Sequence, residues 1–183
     1  MTAAGEAGAA SDERMPQPEP GALDPAARLI GELTRRGLRI AVAESLTGGL
    51  VVAELTRIPG ASLVVNGGVV AYDTAVKRSV LGVSAELLAT EGAVHPEVAR
   101  QMADGVRRVL AVDGRPADIG VSTTGVAGPA EQDGKPAGTV YVGVAIGDDV
   151  EAIPLNLRGD RGDIRRATVR DAVDAVLSRL DAG

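Results

Sequence analysis

The feature that most constrains this chain is the order in which short apolar runs, turn residues and helical patterns follow one another. Leu38–Ala43 is a short apolar run closed by Glu44-Ser45-Leu46-Thr47-Gly48-Gly49, and Leu50–Arg57 then reads as a helix. Leu63–Tyr72 is a second strand region, interrupted by Asn66-Gly67-Gly68, and helical patterns follow over Thr74–Leu81, Ser84–Thr90 and Pro96–Leu110. Ile119–Thr123 is a third strand, followed by a loop over Gly125–Gly138. Thr139–Ile146 and Val150–Leu157 form a hairpin around Gly147-Asp148, and Ile164–Leu180 is a final amphipathic helix. Strands that alternate with helices need crossovers and pair in parallel; strands joined by a tight turn pair antiparallel. The pattern therefore predicts a layered α/β domain with a mixed sheet.

Ahead of these elements, Asp24-Pro25 offers a helix cap and a proline at the first helical position, so a helix is expected over Ala26–Arg36, ending at Gly37. Residues 1–23 are rich in Ala, Gly, Pro and Glu without an apolar period, and are expected to be a disordered tail on a domain spanning 24–183. The chain of 183 residues suits one domain.

Composition narrows the chemistry. There is no Phe or Trp, and Tyr72 and Tyr141 are the only aromatic residues, so the core is aliphatic and no stacking platform for single-stranded nucleic acid exists. A net charge of −6 gives no general attraction to phosphate backbones, and no nucleic-acid partner is expected. Cysteine is absent and His95 is the only histidine, which excludes a thiol nucleophile and Cys- or His-rich metal sites. No apolar run is long enough to cross a bilayer and no signal-peptide pattern opens the chain, so a cytoplasmic protein without membrane association is expected. Of 19 basic residues only Lys77 and Lys135 are lysine. Lysine, unlike arginine, can lose its proton on burial and act as a base.

Three segments at predicted strand ends carry candidate chemistry, and strand ends are where open α/β sheets bind ligands. In the first, Ser45 stands between a strand and a helix, with Gly48 and Gly49 allowing close approach to the backbone; the alternative is that Ser45 or Thr47 merely caps the helix. In the second, Tyr72 ends a strand and Lys77 lies about a turn into the next helix, from where both can reach back toward Ser45; taken alone the pair also reads as ordinary surface chemistry. A serine needs a base to become a nucleophile, and a desolvated lysine can serve. The third, Ser122-Thr123-Thr124-Gly125, offers hydroxyl and N–H groups suited to phosphate or carboxamide recognition. Gly128–Lys135 is not a triphosphate-binding loop: five residues separate Gly128 from Gly134 where four are required, and Pro136 replaces the metal-binding hydroxyl. Arg161, just before the last helix, could pair with a phosphate or simply be exposed at a helix start. His95, beside Pro96, reads as a cap neighbour and is assigned no catalysis.

Taken in order, Ala43–Leu50, Pro59-Gly60-Ala61-Ser62, Gly67–Leu81, Gly92-Ala93-Val94, Thr124–Pro129, Lys135–Val144 and Gly159-Asp160-Arg161 resemble the CinA C-terminal domain family over about residues 25–181. From its length the chain is expected to be the stand-alone form rather than the form fused behind a molybdopterin-binding-like domain. The resemblance implies a layered α/β/α domain with a mixed, mostly parallel sheet, a homodimer, and an amidase that converts nicotinamide mononucleotide to nicotinate mononucleotide and ammonia without metal or cofactor. Carried over by position, Ser45 is the nucleophile, Lys77 its base and Tyr72 a hydrogen-bonding partner of that pair. Backbone N–H groups of Thr47, Gly48 and Gly49 are expected to hold the oxyanion, and Thr124, Gly125 and Arg161 to bind the nucleotide, Arg161 at the phosphate. The sequence departs from the family pattern at Leu46, where a cysteine is usual, and at Ala130-Glu131-Gln132-Asp133-Gly134, where a further glycine pair is usual. Leu46 is expected to pack inward. The family's competence and DNA-damage contexts leave an alternative: a non-catalytic member that binds a pyridine nucleotide in a regulatory or assembly role.

Overall fold

A computed structural model describes residues 24–182; the expected N-terminal tail, residues 1–23, lies outside the described residues. Helix α1 (Pro25–Arg36) starts where Asp24 accepts hydrogen bonds from Ala26 and Ala27 and Pro25 occupies the first turn, and it ends at Gly37. Strand β1 (Ile40–Glu44) is wholly buried. Helix α2 (Leu50–Thr56), strand β2 (Val65–Val70), helices α3 (Thr74–Ser79), α4 (Ala85–Glu91) and α5 (Pro96–Val109), strands β3 (Ile119–Gly125), β4 (Thr139–Ile146) and β5 (Asp149–Asn156), and helix α6 (Arg161–Asp181) follow.

The five strands form one sheet in the order β2-β1-β3-β4-β5. β1 pairs in parallel with β2 and with β3, whereas β3–β4 and β4–β5 are antiparallel. The sheet is mixed, and four of the five strands run in one direction because β4 alone is reversed. β2 continues through Asn66-Gly67-Gly68, and the expected interruption is a bulge at Asn66, where the register with β1 passes from Ile40–Val65 to Ala41–Gly67. The small residues suit close packing, since a Cβ on Gly68 would sit 3.1 Å from Val52 of α2.

Alternation along β1 sorts the two faces of the sheet. Ile40 and Val42 join the core under α1, α2 and α6, and Ala41 and Ala43 face the cluster containing Val98, Met102 and Val106 of α5. The result is three layers, α/β/α, as the sequence pattern and the family resemblance anticipate. Without large aromatic side chains the α5 layer closes by approach rather than by filling. A Cβ on Gly120 would lie 1.8 Å from the Ala103 carbonyl oxygen, and one on Gly143 would lie 2.3 Å from that of Ala99. Helix α5 thus rests on the backbone of β3 and β4.

Helix α6 begins one turn before the expected Ile164, because Asp160 and Asp163 form a reciprocal capping box that recruits Arg161 into the helix. Its buried stripe, Ile164, Thr168, Ala172, Val176 and Leu180 with Val169, Val173 and Leu177, packs against the sheet. No helix among the described residues is long and apolar enough to cross a membrane.

Candidate active site

β1, β2 and β3 run the same way, so the segments after them emerge at one edge. β1 sits between strands reached by crossovers on opposite faces, which opens a crevice at its carboxyl end. A cleft of about 550 Å³ lies there. Ser45 and Leu46 come to it from β1, Tyr72 and Lys77 from the β2–α3 junction, Thr124 and Gly125 from β3, and Arg161 from the start of α6.

Ser45 and Lys77 meet at its floor. Lys77 Nζ is 3.0 Å from Ser45 Oγ, 2.7 Å from the Ala71 carbonyl oxygen and 3.5 Å from that of Tyr72. The lysine is 1% exposed, and no carboxylate forms an ion pair with it among the described residues. Burial pushes its pKa down to about 8, opposed by the negative charge of Asp73 at the α3 cap. Three acceptors match the three protons of an ammonium. A neutral amine keeps two protons for the carbonyls and turns its lone pair to the Ser45 hydroxyl. Both protonation states are therefore accommodated without rearrangement, as a reversible base requires.

The phenol of Tyr72 departs from the expected role. The side chain is 61% exposed and its hydroxyl accepts from Arg161 Nη2 at 3.0 Å, so what Lys77 meets is the Tyr72 main-chain carbonyl. Ala71, the preceding residue, turns inward into the α5-side core, and Tyr72 consequently points outward to the cleft wall. Arg161 reaches the cleft as expected, and its Nη1 donates to the Gly128 carbonyl at 2.9 Å.

The turn after Ser45 also differs from expectation. Neither Ser45 nor Thr47 caps α2. Glu44, fully buried, accepts from Gly49 N at 2.9 Å, Val51 N at 3.1 Å and Val52 N at 2.9 Å. Gly48 N–H is taken as well, closing a turn onto the Ser45 carbonyl at 3.1 Å. Gly48 and Gly49 have φ of 61° and 100°, and it is this left-handed backbone that calls for glycine, rather than contact with a ligand. Thr47 is buried with its hydroxyl 2.7 Å from that of Thr123. None of Thr47, Gly48 and Gly49 lines the cleft.

The hydroxyls of β3 are spent internally too. Ser122 donates to the Ala99 carbonyl and Thr124 to that of Ala93, each at 2.7 Å, tying β3 to α5 and to the loop that precedes it. Thr124 and Gly125 reach the cleft beside the loop that continues through Gln132, but the Thr124 hydroxyl is already bonded to Ala93. Leu46 packs inward as expected, with Ala127, Val140 and Ile164. His95 is the α5 cap itself, its Nδ1 accepting from Glu97 N at 3.1 Å.

Two residues at the site escaped the sequence reading. Glu44 could have been noticed as a lone acid at the end of an apolar run. Arg165, whose Nε and Nη2 donate to the Leu46 and Thr47 carbonyls at 3.0 and 2.8 Å, carries no such signal among many arginines.

Fold and site together define an α/β domain with a buried serine–lysine pair in a cleft at the carboxyl edge of its parallel strands. The chain belongs to the CinA C-terminal domain family, whose model matches residues 23–180. It is 47% identical over 152 residues to a CinA-like protein of Frankia casuarinae, covering 83% of this chain and 34% of that protein. The chain thus spans about a third of the length of that relative. Among solved structures it is similar to the competence/damage inducible protein CihA from Agrobacterium tumefaciens, with TM-score 0.78 and 38% identity over 86% of this chain and 93% of the other. A competence-damaged protein (CinA) superfamily protein from Klebsiella pneumoniae superposes with TM-score 0.81 at 32% identity, covering 87% and 97%.

Proposed function

We propose that this domain hydrolyses the carboxamide of nicotinamide mononucleotide, with Ser45 as nucleophile and Lys77 as base. The observation that carries the reading is the 3.0 Å contact between Ser45 Oγ and a buried lysine that lacks a carboxylate partner among the described residues. Neutral Lys77 takes the Ser45 proton as Oγ attacks the carboxamide carbon, and the carbonyl π electrons move onto oxygen. The Lys77 ammonium then protonates the amide nitrogen, the C–N bond breaks and ammonia leaves. Water, losing a proton to Lys77, attacks the acyl-serine; Lys77 returns that proton to Ser45 Oγ as the ester bond breaks and nicotinate mononucleotide is freed. Arg161 is assigned to the phosphate: it is a cleft-lining cation whose fork keeps N–H groups beyond those given to Gly128 and Tyr72. The cleft volume falls within the about 300–1,000 Å³ of small-molecule sites.

A second reading, a non-catalytic member that binds a pyridine nucleotide, has one observation in its favour. Ala130, Glu131 and Gln132, where the chain departs from the family pattern, line the cleft. Ammonia release from purified protein, compared for nicotinamide mononucleotide, nicotinamide riboside, nicotinamide and glutamine, separates the two. Release from the mononucleotide, abolished in Ser45→Ala, supports the amidase. Tight mononucleotide binding without release leaves the binding reading.

A further inference from the structure

Backbone N–H groups from Ser45 to Val52 can be followed one by one. Ser45 donates to the Thr123 carbonyl, Gly48 to Ser45 and Leu50 to Thr47. Gly49, Val51 and Val52 donate to Glu44. Only Leu46 and Thr47 have no acceptor among the described residues. Unpaired N–H groups in buried residues are rare, because each forfeits its hydration without return. These two directly follow the candidate nucleophile, and Leu46 lines the cleft. The N–H of the residue after a nucleophilic serine is well placed to receive a developing oxyanion.

What orients them is visible at the other end of each peptide. In a planar trans peptide the C=O and N–H point opposite ways. Leu46 N–H shares its peptide with the Ser45 carbonyl, which is held by Gly48 N–H. Thr47 N–H shares its peptide with the Leu46 carbonyl, which is held by Arg165 Nε at 3.0 Å. Arg165 Nη2 holds the Thr47 carbonyl at 2.8 Å, and that peptide carries the Gly48 N–H that closes the turn. One guanidinium, rooted in α6 more than a hundred residues away in sequence, therefore governs both peptides, one directly and one through Gly48. Its charge on the carbonyl side also polarises the N–H side, since hydrogen bonds in a chain strengthen one another.

The geometry points to Arg165 as a positioning residue that fixes the nucleophile turn so that the free N–H of Leu46, a cleft-lining residue, meets the oxyanion formed on Ser45. This rests on the amidase reading for its substrate, but not for its test. Arg165 touches no reacting atom; it acts through the two peptides. In the reaction, the electron pair displaced from the carbonyl π bond comes to rest on an oxygen held by the Leu46 N–H, and returns as ammonia leaves.

The test compares wild type with Arg165→Lys and Arg165→Met, measuring kcat and KM for nicotinamide mononucleotide, melting temperature, and affinity for pyridine-3-boronic acid. The boronate forms a tetrahedral adduct on serine, and Ser45→Ala controls for it. Removing an oxyanion donor outright costs about 10²–10³ in kcat. Loosening that donor is expected to lower kcat about 10- to 100-fold with KM nearly unchanged, and to weaken boronate binding by a similar factor. Arg165→Lys keeps the charge and stem but not the two-carbonyl fork, so it should resemble Arg165→Met in kcat while holding the wild-type melting temperature more closely. Unchanged kcat and boronate affinity in a folded variant would overturn the assignment. So would a lowered melting temperature with boronate affinity intact, which marks a purely structural arginine. If wild type released no ammonia yet bound boronate through Ser45, the amidase reading alone would fall, and the boronate comparison would still decide Arg165. If Ser45 took no boronate, the positioning role would fall as well.

Discussion

The protonation of Lys77 is the quantity on which the proposed chemistry turns, and it can be read by titration. Burial lowers its pKa from 10.5 to about 8. At pH 7 this raises the neutral fraction from about 0.03% to about 9%, a gain of about 300-fold in available base, equivalent to about 3 kcal/mol. The rate constant kcat/KM for ammonia release, which reports the free enzyme, is therefore expected to rise nearly tenfold per pH unit from 6.5 and level off above about 8. Stability carries the opposite face of the same shift. A base whose folded pKa is depressed binds more protons unfolded, between about 8 and 10.5, so the protein should gain stability as pH rises through that window. Below pH 8 the full cost of burying the ammonium is present. Lys77→Met removes that cost of about 3 kcal/mol, while the Ala71 and Tyr72 carbonyls lose donors worth about 1 kcal/mol each. The variant should thus be inactive yet at least as stable as wild type at pH 7 in urea denaturation. Lys77→Arg, which cannot deprotonate near neutrality, should be nearly as inactive. A flat rate profile from pH 6.5 to 9, an inflection near 10, or a Lys77→Met protein several kcal/mol less stable would refute the reasoning and make Lys77 a structural cation.

Further outcomes follow from other parts of the site and core. Arg161→Ala is expected to raise KM for nicotinamide mononucleotide far more than for the phosphate-free riboside, and equal effects on both would return Arg161 to a structural role. Tyr72→Phe, which removes the hydroxyl that Arg161 donates to, should likewise change KM more than kcat, as steady-state kinetics on the same two compounds would show. Glu44→Gln replaces an oxygen acceptor with a donor beside three N–H groups; a loss of about 1.5–3 kcal/mol in urea denaturation is expected, and unchanged stability would disprove its capping role. Gly120→Ala drives a Cβ to within 1.8 Å of the Ala103 carbonyl oxygen and should destabilise by about 3 kcal/mol or more, read as a lower melting temperature.

What the sequence determined by itself lies in short windows. Asp24-Pro25 and Gly37 bracket α1, apolar runs mark β1 and β3, and the order of strands and helices implies the mixed sheet, because caps and periodicity act within a few residues. It also brought Ser45, Lys77 and Thr124 to one edge, since strand ends in a parallel sheet share a side, whereas Arg161 was expected there only from the family resemblance. It could not determine how each polar group is spent. Glu44 reads as part of a turn until α2 folds back over it, and the Thr124 hydroxyl reads as a ligand donor until Ala93 arrives beneath it. Tyr72 reads as a partner of Lys77 until the chain leaving β2 buries Ala71 and turns the Tyr72 phenol outward to Arg161. Arg165 is one arginine among many until α6 docks against the nucleophile turn. A hydrogen bond is satisfied by whichever group comes within about 3 Å, and that group is chosen by packing between segments far apart in the chain. The candidate nucleophile and base are therefore legible one residue at a time, and the N–H groups left free to serve them are decided only in the folded protein.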